Sequence, residues 1–444
     1  VPPNFITTVS EPAGGMVGND SFPSVVPEPG RRRLVIAVLV TLAVAAGTVG
    51  VVVGAGGDGG DEKASEVPSP GRSAPRERIS FLARLVPPPA RAARGGSGAA
   101  FPRSVARIAR GMSLERKVAQ LFVFGFQGTD ATAEIFGRLR RYDIGGLVIH
   151  PSNYVSSDQL LALTGEAAVV ASEQKHVPPW VMAAQEGGEV NTFPDLPPAK
   201  APAELASAEE AAVGARESAA ALRALGVNGV LGPVLDVGGG ESGSVLGARV
   251  YSDDPAEVAA YAEATIRAYR AEKMFSAAKH FPGLGAADQS TEEGPATVGL
   301  GLDELETRDL VPFKVAARAG TPGIVVSHAL YPFTDFTLPA SLSKEVDTLL
   351  LRRQLRFKGV AFTDDLADPA ITAIHTVPDA AVRALRAGAD MLQISGSAGE
   401  QQAAYVAVLR AVQRGRIPRA RLDQAIGRIL VAKQRYELLG GQTP

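Results

Sequence analysis

The chain contains no cysteine. Disulfide staples and thiolate metal sites are therefore excluded, and the redox character of its compartment leaves no trace in the sequence. Histidine is scarce, with five in 444 residues. Only His150, His280 and His328 stand where strands are expected to end, so a histidine-rich metal centre is not expected, and nothing points to a cofactor. Charge of one sign is not in excess: 45 Lys and Arg face 47 Asp and Glu, for a formal net charge of −2. That removes the basic footprint of a nucleic-acid-binding protein. Long hydrophobic runs are also lacking, with one exception.

The exception is RRRLVIAVLVTLAVAAGTVGVVVGAGG, which opens with Arg31, Arg32 and Arg33 and then carries no charge from Leu34 to Gly57. A run of roughly 20 apolar residues matches the hydrocarbon thickness of a bilayer. The arginines precede it and Asp58, Asp61 and Glu62 follow, so the bias of basic residues toward the inner side places the N-terminus in the cytoplasm and the rest of the chain outside. A cleaved signal peptide is the alternative, but its apolar core is shorter, about 7–15 residues. The expected organisation is a disordered tail over 1–30, a transmembrane anchor over 31–55, a Pro/Gly/Ser-rich linker over 56–103 and one globular domain over 104–440. A single-pass protein of the cell membrane, monomeric and with its domain on the outer side, is the expectation.

From residue 104 onward short apolar runs alternate with Ala-, Leu-, Arg- and Glu-rich segments of helical period. The strand candidates are VAQLFVFGF, GGLVIH, PWVMAAQ, VNGVLGPVLDV, FSAAKHF, GIVVSHA, GVAFTDD and ADMLQIS. This alternation predicts an α/β fold, a (β/α)8 TIM-type barrel, in preference to a doubly wound open sheet. Nearly every run ends in polar groups: His150, Gln185-Glu186, Asp236, Lys279-His280, Ser327-His328, Asp364-Asp365 and Ser395. In a barrel these would converge on the C-terminal rim, where active sites are built.

Asp364, at the end of GVAFTDD, can serve there as nucleophile, base or ligand, whereas Asp365 and Asp368 read as helix N-caps. Lys279 suits either Schiff-base chemistry or hydrogen bonds to hydroxyls. His280 follows it directly, so the two side chains should leave opposite faces of their strand unless the backbone bends.

Taken together, MSLERKVAQLFVFGF, QEGGEV, PVLDVGGGESGSVLGARVYSDDP, AAKHFPGLG, SHALYPFTDFTLPASLS, RFKGVAFTDDL and RLDQAIGRILVAKQR resemble glycoside hydrolase family 3, in particular its bacterial β-N-acetylglucosaminidase branch. The resemblance spans about residues 112–440. It implies a retaining glycosidase acting on terminal β-linked sugars such as cell-wall fragments, with Asp364 as nucleophile, Lys279, His280 and Arg249 as sugar-binding residues, and Glu186 and His328 as further substrate contacts.

Two motifs depart from that pattern. Members of the branch follow KHFPGHG with an Asp-Ser-His triplet whose histidine is the acid/base. Here the corresponding residues are Ser290, Thr291 and Glu292. Glu292 is thus the candidate acid/base, with Asp288 a weaker one. The branch also places Asp before QEGG and Arg after it, where this chain has Ala184 and Glu189. A catalytically impaired glycan-binding or scaffold domain on the same barrel is the competing expectation, and a Schiff-base lyase using Lys279 is a third.

Overall fold

The computed structural model describes residues 101–239, 243–332 and 338–439. The expected tail at 1–30, anchor at 31–55 and nearly all of the linker at 56–103 lie outside the described residues. Among those described, no helix is long and apolar enough to cross a membrane.

Eight parallel strands close into a barrel. In chain order they are β1 (Phe122–Phe124), β2 (Gly146–Ile149), β3 (Trp180–Ala183), β6 (Gly229–Val230), β7 (Phe275–Phe281), β8 (Gly323–Val326), β9 (Val360–Asp365) and β10 (Met391–Ile394), with β1 pairing both β2 and β10 to complete the ring. Each falls within one of the eight apolar runs. Every residue of β2, β3, β8 and β10 is buried. A parallel sheet covered on both faces requires this, and it is why these strands read as continuous apolar runs rather than as alternating ones. The sequence did not announce a small antiparallel hairpin, β4 (Gln185–Gly187) with β5 (Val190–Asn191), set just after β3.

Helices α1 (Arg103–Gly111) and α2 (Leu114–Ala119) precede the barrel. The outer layer comprises α3 (Glu134–Arg141), α4 (Ser157–Glu173), α5 (Ala208–Ala224), α6 (Pro255–Ala271), α7 (Leu302–Thr307), α8 (Leu310–Ala319), α9 (Pro369–Thr372), α10 (Val377–Ala387), α11 (Ala398–Gln413) and α12 (Arg419–Arg435). Serine marks several starts: Ser156, Ser207 and Ser397 each accept a hydrogen bond from the backbone N–H of the third helical residue, satisfying a donor the helix cannot use internally. Helix α5 buries Ala211, Ala215 and Ala219, and its neighbour α6 buries Val258, Ala262 and Ile266. These repeats of four put small and branched residues on single stripes, so the two helices pack closely. The segment before β9, Glu345–Gln354, winds as a π-helix where the sequence predicts an ordinary one.

The last helix seals the lower, N-terminal end of the barrel. Lys433 on α12 is fully buried, and its ammonium donates to Gln120 Oε1 (2.9 Å), Gly145 O (2.9 Å) and Pro178 O (2.8 Å). These acceptors sit just before β1, β2 and β3, so one cation ties three strand entries together. Burial pulls the Lys433 pKa down to about 7 against the opposing pull of Asp143. Asp390 at the foot of β10 is also buried, bonded by Arg352 (2.6 Å), Arg421 (3.0 Å) and Arg428 (3.0 Å).

Replacing Lys433 by methionine leaves three acceptors at the barrel floor without their donor. Lys433→Met is expected to lower unfolding free energy by about 2–4 kcal/mol. Urea denaturation followed by circular dichroism checks this, and a variant as stable as wild type would contradict the role assigned to the ammonium.

Candidate active site

At the opposite, C-terminal end of the strands the structure holds a cavity of about 580 Å³. Glu186, Arg249, Lys279, His280, Asp364 and Glu292 all line it, so six of the eight residues singled out from the sequence meet in one place. Asp288 and His328 are not among its walls.

One side of the site is built around an ion triad. Glu186, carried into place by the β4–β5 hairpin, has a side chain only 2 % exposed. Arg249 grips it in bidentate fashion, Nε to Oε2 at 2.7 Å and Nη2 to Oε1 at 2.9 Å, and Lys279 Nζ lies 2.5 Å from Oε1. Burial alone would push the Glu186 carboxyl up. Lys279 and then Arg249 more than reverse this and hold it at about 2. Glu186 was expected to touch substrate, but both of its oxygens are engaged by cations. Its place is behind Lys279 and Arg249, orienting groups that keep further N–H donors of their own.

His280 is fixed by a residue that the sequence reading noted only as a strand end. Asp236 Oδ2 accepts from His280 Nδ1 (2.7 Å) and from the His280 backbone N–H (3.0 Å), while Oδ1 accepts from Leu284 N–H (2.6 Å). The buried carboxylate thereby sets the ring's orientation and leaves Nε2 facing the pocket, 4.0 Å from Asp364 Oδ2. The expected divergence of Lys279 and His280 is corrected here: both line the same cavity. The pairing of β7 with β8 shifts register between Ala278 and Phe281, so strand alternation does not apply across this pair. The FPGLG turn that follows packs tightly. A Cβ on Gly285 would lie 1.9 Å from the Val237 carbonyl oxygen, and Gly283 takes a φ of +139° that disfavours any side chain.

Asp364 closes β9 with its side chain 21 % exposed toward the cavity. Burial pushes its carboxyl up, but His280, His328 and Lys279, with the Asp365 backbone N–H (3.2 Å), hold it below the usual carboxylate value. It therefore presents an ionised oxygen at neutral pH. His328 supports this arrangement from behind: Nε2 donates to the Asp365 carbonyl (2.8 Å) and Nδ1 pairs with Ser341 Oγ (2.7 Å). With both ring nitrogens occupied and burial depressing its pKa, His328 has nothing left for a sugar, contrary to the expected contact. Asp365 is not the helix N-cap expected of it: it ends β9, with its Oδ1 accepting from Ala367 N–H (2.9 Å) and both its oxygens from Ser395 N–H (each at 3.0 Å), so its role is structural.

The loop after the turn separates the two acid/base candidates. Asp288 is exposed, and it exchanges hydrogen bonds with Thr297: its Oδ1 accepts from the Thr297 N–H (2.7 Å) and its own N–H donates to the Thr297 carbonyl (3.0 Å). It pins the loop and does not reach the cavity. Glu292 does line the cavity, beside buried Thr291, whose carbonyl accepts from Ala370 N–H at 3.1 Å. That bond docks the loop on the head of α9. Ala184 and Glu189, the two altered QEGG flanks, also line the cavity.

One acid was misread from sequence. Asp368 occupies the N-cap position of α9, yet its side chain makes no capping hydrogen bond and lines the cavity instead. Burial, followed by the charges of Asp364, Asp365 and Glu292, pushes its pKa up to about 9. The available signal was its spacing: an acid four residues after Asp364, at the start of a helix, stays on the same rim.

Residues 113–432 match the model of the glycosyl hydrolase family 3 N-terminal domain. A β-hexosaminidase of Xanthomonas oryzae pv. oryzae is 32% identical over 318 residues, covering 69% of this chain and 92% of its own length. An uncharacterised secreted glycosyl hydrolase of Arthroderma benhamiae is 30% identical over 341 residues, covering 75% of this chain and 96% of its own. Among solved structures, a family 3 β-N-acetylglucosaminidase from Paenibacillus sp. superposes with a TM-score of 0.71 at 32% identity, over 75% of this chain and 64% of that one. The chain belongs to glycosyl hydrolase family 3, on the branch that holds its β-hexosaminidases.

Proposed function

We propose that the protein is a retaining exo-β-glycosidase that removes terminal β-linked N-acetylhexosamine residues from wall-derived glycans, with Asp364 as nucleophile. The observation that carries this reading is the convergence of an ionised, partly exposed Asp364 with the Glu186–Lys279–Arg249 triad and His280 in one cavity of about 580 Å³. Pockets of about 300–1,000 Å³ suit small ligands. Asp364 attacks the anomeric carbon while the glycosidic bond breaks, and the resulting ester is hydrolysed by water. Lys279, Arg249 and His280 donate hydrogen bonds to sugar hydroxyls. Proton transfer comes from the carboxyl-rich wall made by the 286–293 loop and the head of α9, to which Glu292 belongs and Asp288 does not. The uncharged run Leu34–Gly57 supports tethering to the outer face of the membrane. Resistance of the domain to protease added to intact cells would refute that placement.

A second reading, a glycan-binding domain without turnover, is favoured by Ala184 at the cavity wall, where the resembling pattern has an aspartate. Turnover separates the two. Asp364→Asn is expected to lower kcat on an aryl N-acetyl-β-glucosaminide by at least about 10³-fold with unchanged circular dichroism. A 5-fluoro glycosyl fluoride is expected to label the peptide carrying Asp364 by mass spectrometry. Binding of the glycan without any turnover by the wild type would favour the binder.

The triad makes its own prediction. Glu186→Gln leaves Lys279 and Arg249 without the charge that positions them, so kcat/KM is expected to fall about 10- to 100-fold. Steady-state kinetics on the same substrate reads this. An unchanged kcat/KM would remove Glu186 from the site.

A further inference from the structure

We propose that Asp368 is a catalytic residue of this barrel, the carboxyl that gives its proton to the glycosidic oxygen and later takes one from the attacking water. The proposal rests on the reading of Asp364 as nucleophile and assigns the second role, for which the loop supplies no histidine.

Three observations lead to it. The backbone of Asp368 is fully used: its N–H donates to the Asp365 carbonyl (2.9 Å), and its own carbonyl accepts from Ile371 N–H and Thr372 N–H (each at 2.9 Å). The side chain is not used, since it caps nothing and lines the cavity together with Asp364 and Glu292. An Asp in the N-cap position ordinarily spends its carboxylate on the helix, so a pinned backbone with an unspent carboxyl is the arrangement of a presented group. Third, the bond from Ala370 N–H to the Thr291 carbonyl (3.1 Å) holds the 286–293 loop against the same helix head. Glu292 therefore becomes a neighbour of Asp368 rather than an isolated loop residue.

The charges that act on Asp368 come from Asp364 and Asp365 of β9 and Glu292 of the loop, all acidic, while Lys279, Arg249, His280 and His150 line other parts of the same cavity. Burial and the three acidic charges oppose its ionisation, raising its pKa to about 9, while Asp364 beside it is held low by His280, His328 and Lys279. Two carboxyls in one pocket with environments that drive them apart divide the roles of nucleophile and acid between them.

The steps balance. An Asp364 oxygen bonds to the anomeric carbon, the glycosidic C–O bond breaks, and the leaving oxygen takes the Asp368 proton and departs as an alcohol. Water then bonds to the same carbon, the ester electrons return to Asp364, and the water's proton goes to Asp368.

The test compares the full-length wild-type chain with Asp368→Asn and Glu292→Gln on two substrates: a β-linked N-acetylglucosamine disaccharide, whose leaving group needs a proton, and a 2,4-dinitrophenyl N-acetyl-β-glucosaminide, whose leaving group does not. Asp368→Asn is expected to lose about 10²- to 10⁴-fold in kcat/KM on the disaccharide and less than about tenfold on the activated substrate. With the activated substrate, azide is expected to restore its turnover and yield the β-glycosyl azide. In Glu292→Gln the alkaline limb of kcat/KM on the disaccharide is expected to move to lower pH, because removing a carboxylate makes Asp368 easier to ionise.

Equal losses on both substrates without azide rescue would make Asp368 structural and overturn the proposal. So would leaving-group dependence and azide rescue in Glu292→Gln alone, which would give the role to Glu292. If Asp368→Asn matches wild type while Asp364→Asn is inactive, the proposal falls and the nucleophile stands. A wild type that turns over no β-glycoside takes both down together.

Discussion

Everything at the rim depends on one buried carboxylate held between two cations. Glu186 joins parts of the chain that are far apart in sequence: the hairpin after β3, the turn carrying Arg249, and the end of β7 carrying Lys279. Two cations placed side by side and largely buried would repel each other and incur an uncompensated desolvation cost. The carboxylate removes both penalties and fixes where the remaining N–H donors point. Losing it would leave the barrel closed, since the floor is tied separately by Lys433 and Asp390. The two ends of the barrel are thus independently stabilised, and polar residues at the rim are free to serve chemistry.

The triad also contributes to the electrostatics of Asp364. A carboxylate this enclosed would drift toward protonation, and His280 and His328, followed by Lys279, prevent it. His280 is itself held by Asp236, which spends both oxygens on His280 and the turn that follows. The chain of dependence runs from a buried aspartate through an oriented ring to an ionised carboxylate. Asp368 lies in the same cavity, but burial and the charges of Asp364, Asp365 and Glu292 oppose its ionisation.

Much of this was legible in the sequence because barrel strands must be apolar along their length and polar where they meet the rim. GVAFTDD and FSAAKHF carry both signals, which is why Asp364 and Lys279 stand out without coordinates. What was not legible depends on geometry without a compositional mark. The convergence of Lys279 and His280 accompanies a register shift, which no residue pattern announces. Asp368 was read as a cap because an aspartate before a proline-started helix usually is one, and only coordinates show that its carboxyl turns away. The resemblance implies substrate contacts for Glu186 and His328, whereas their hydrogen bonds spend them on protein partners. Asp288 and Glu292 look alike as loop acids, and a pair of backbone-directed bonds to Thr297 tells them apart.

The altered loop is better understood as part of a larger surface than as a damaged motif. A histidine acid/base carried on a loop needs a partner on that loop to orient it and set its pKa. A carboxylic acid needs something different, which is a neighbourhood that refuses a further negative charge. That neighbourhood can be supplied by residues already present for other reasons, here Asp364, the aspartate that anchors β9 to β10, and a loop glutamate docked through the carbonyl of Thr291. Moving the proton from the loop to the head of α9 therefore demands few new contacts. It does demand that the loop stay docked, because Glu292 contributes charge only while Ala370 holds its neighbour in place. On the reading proposed above, the short helix after β9, whose N-cap residue Asp368 lines the cavity, is the element through which the barrel would recover a proton donor.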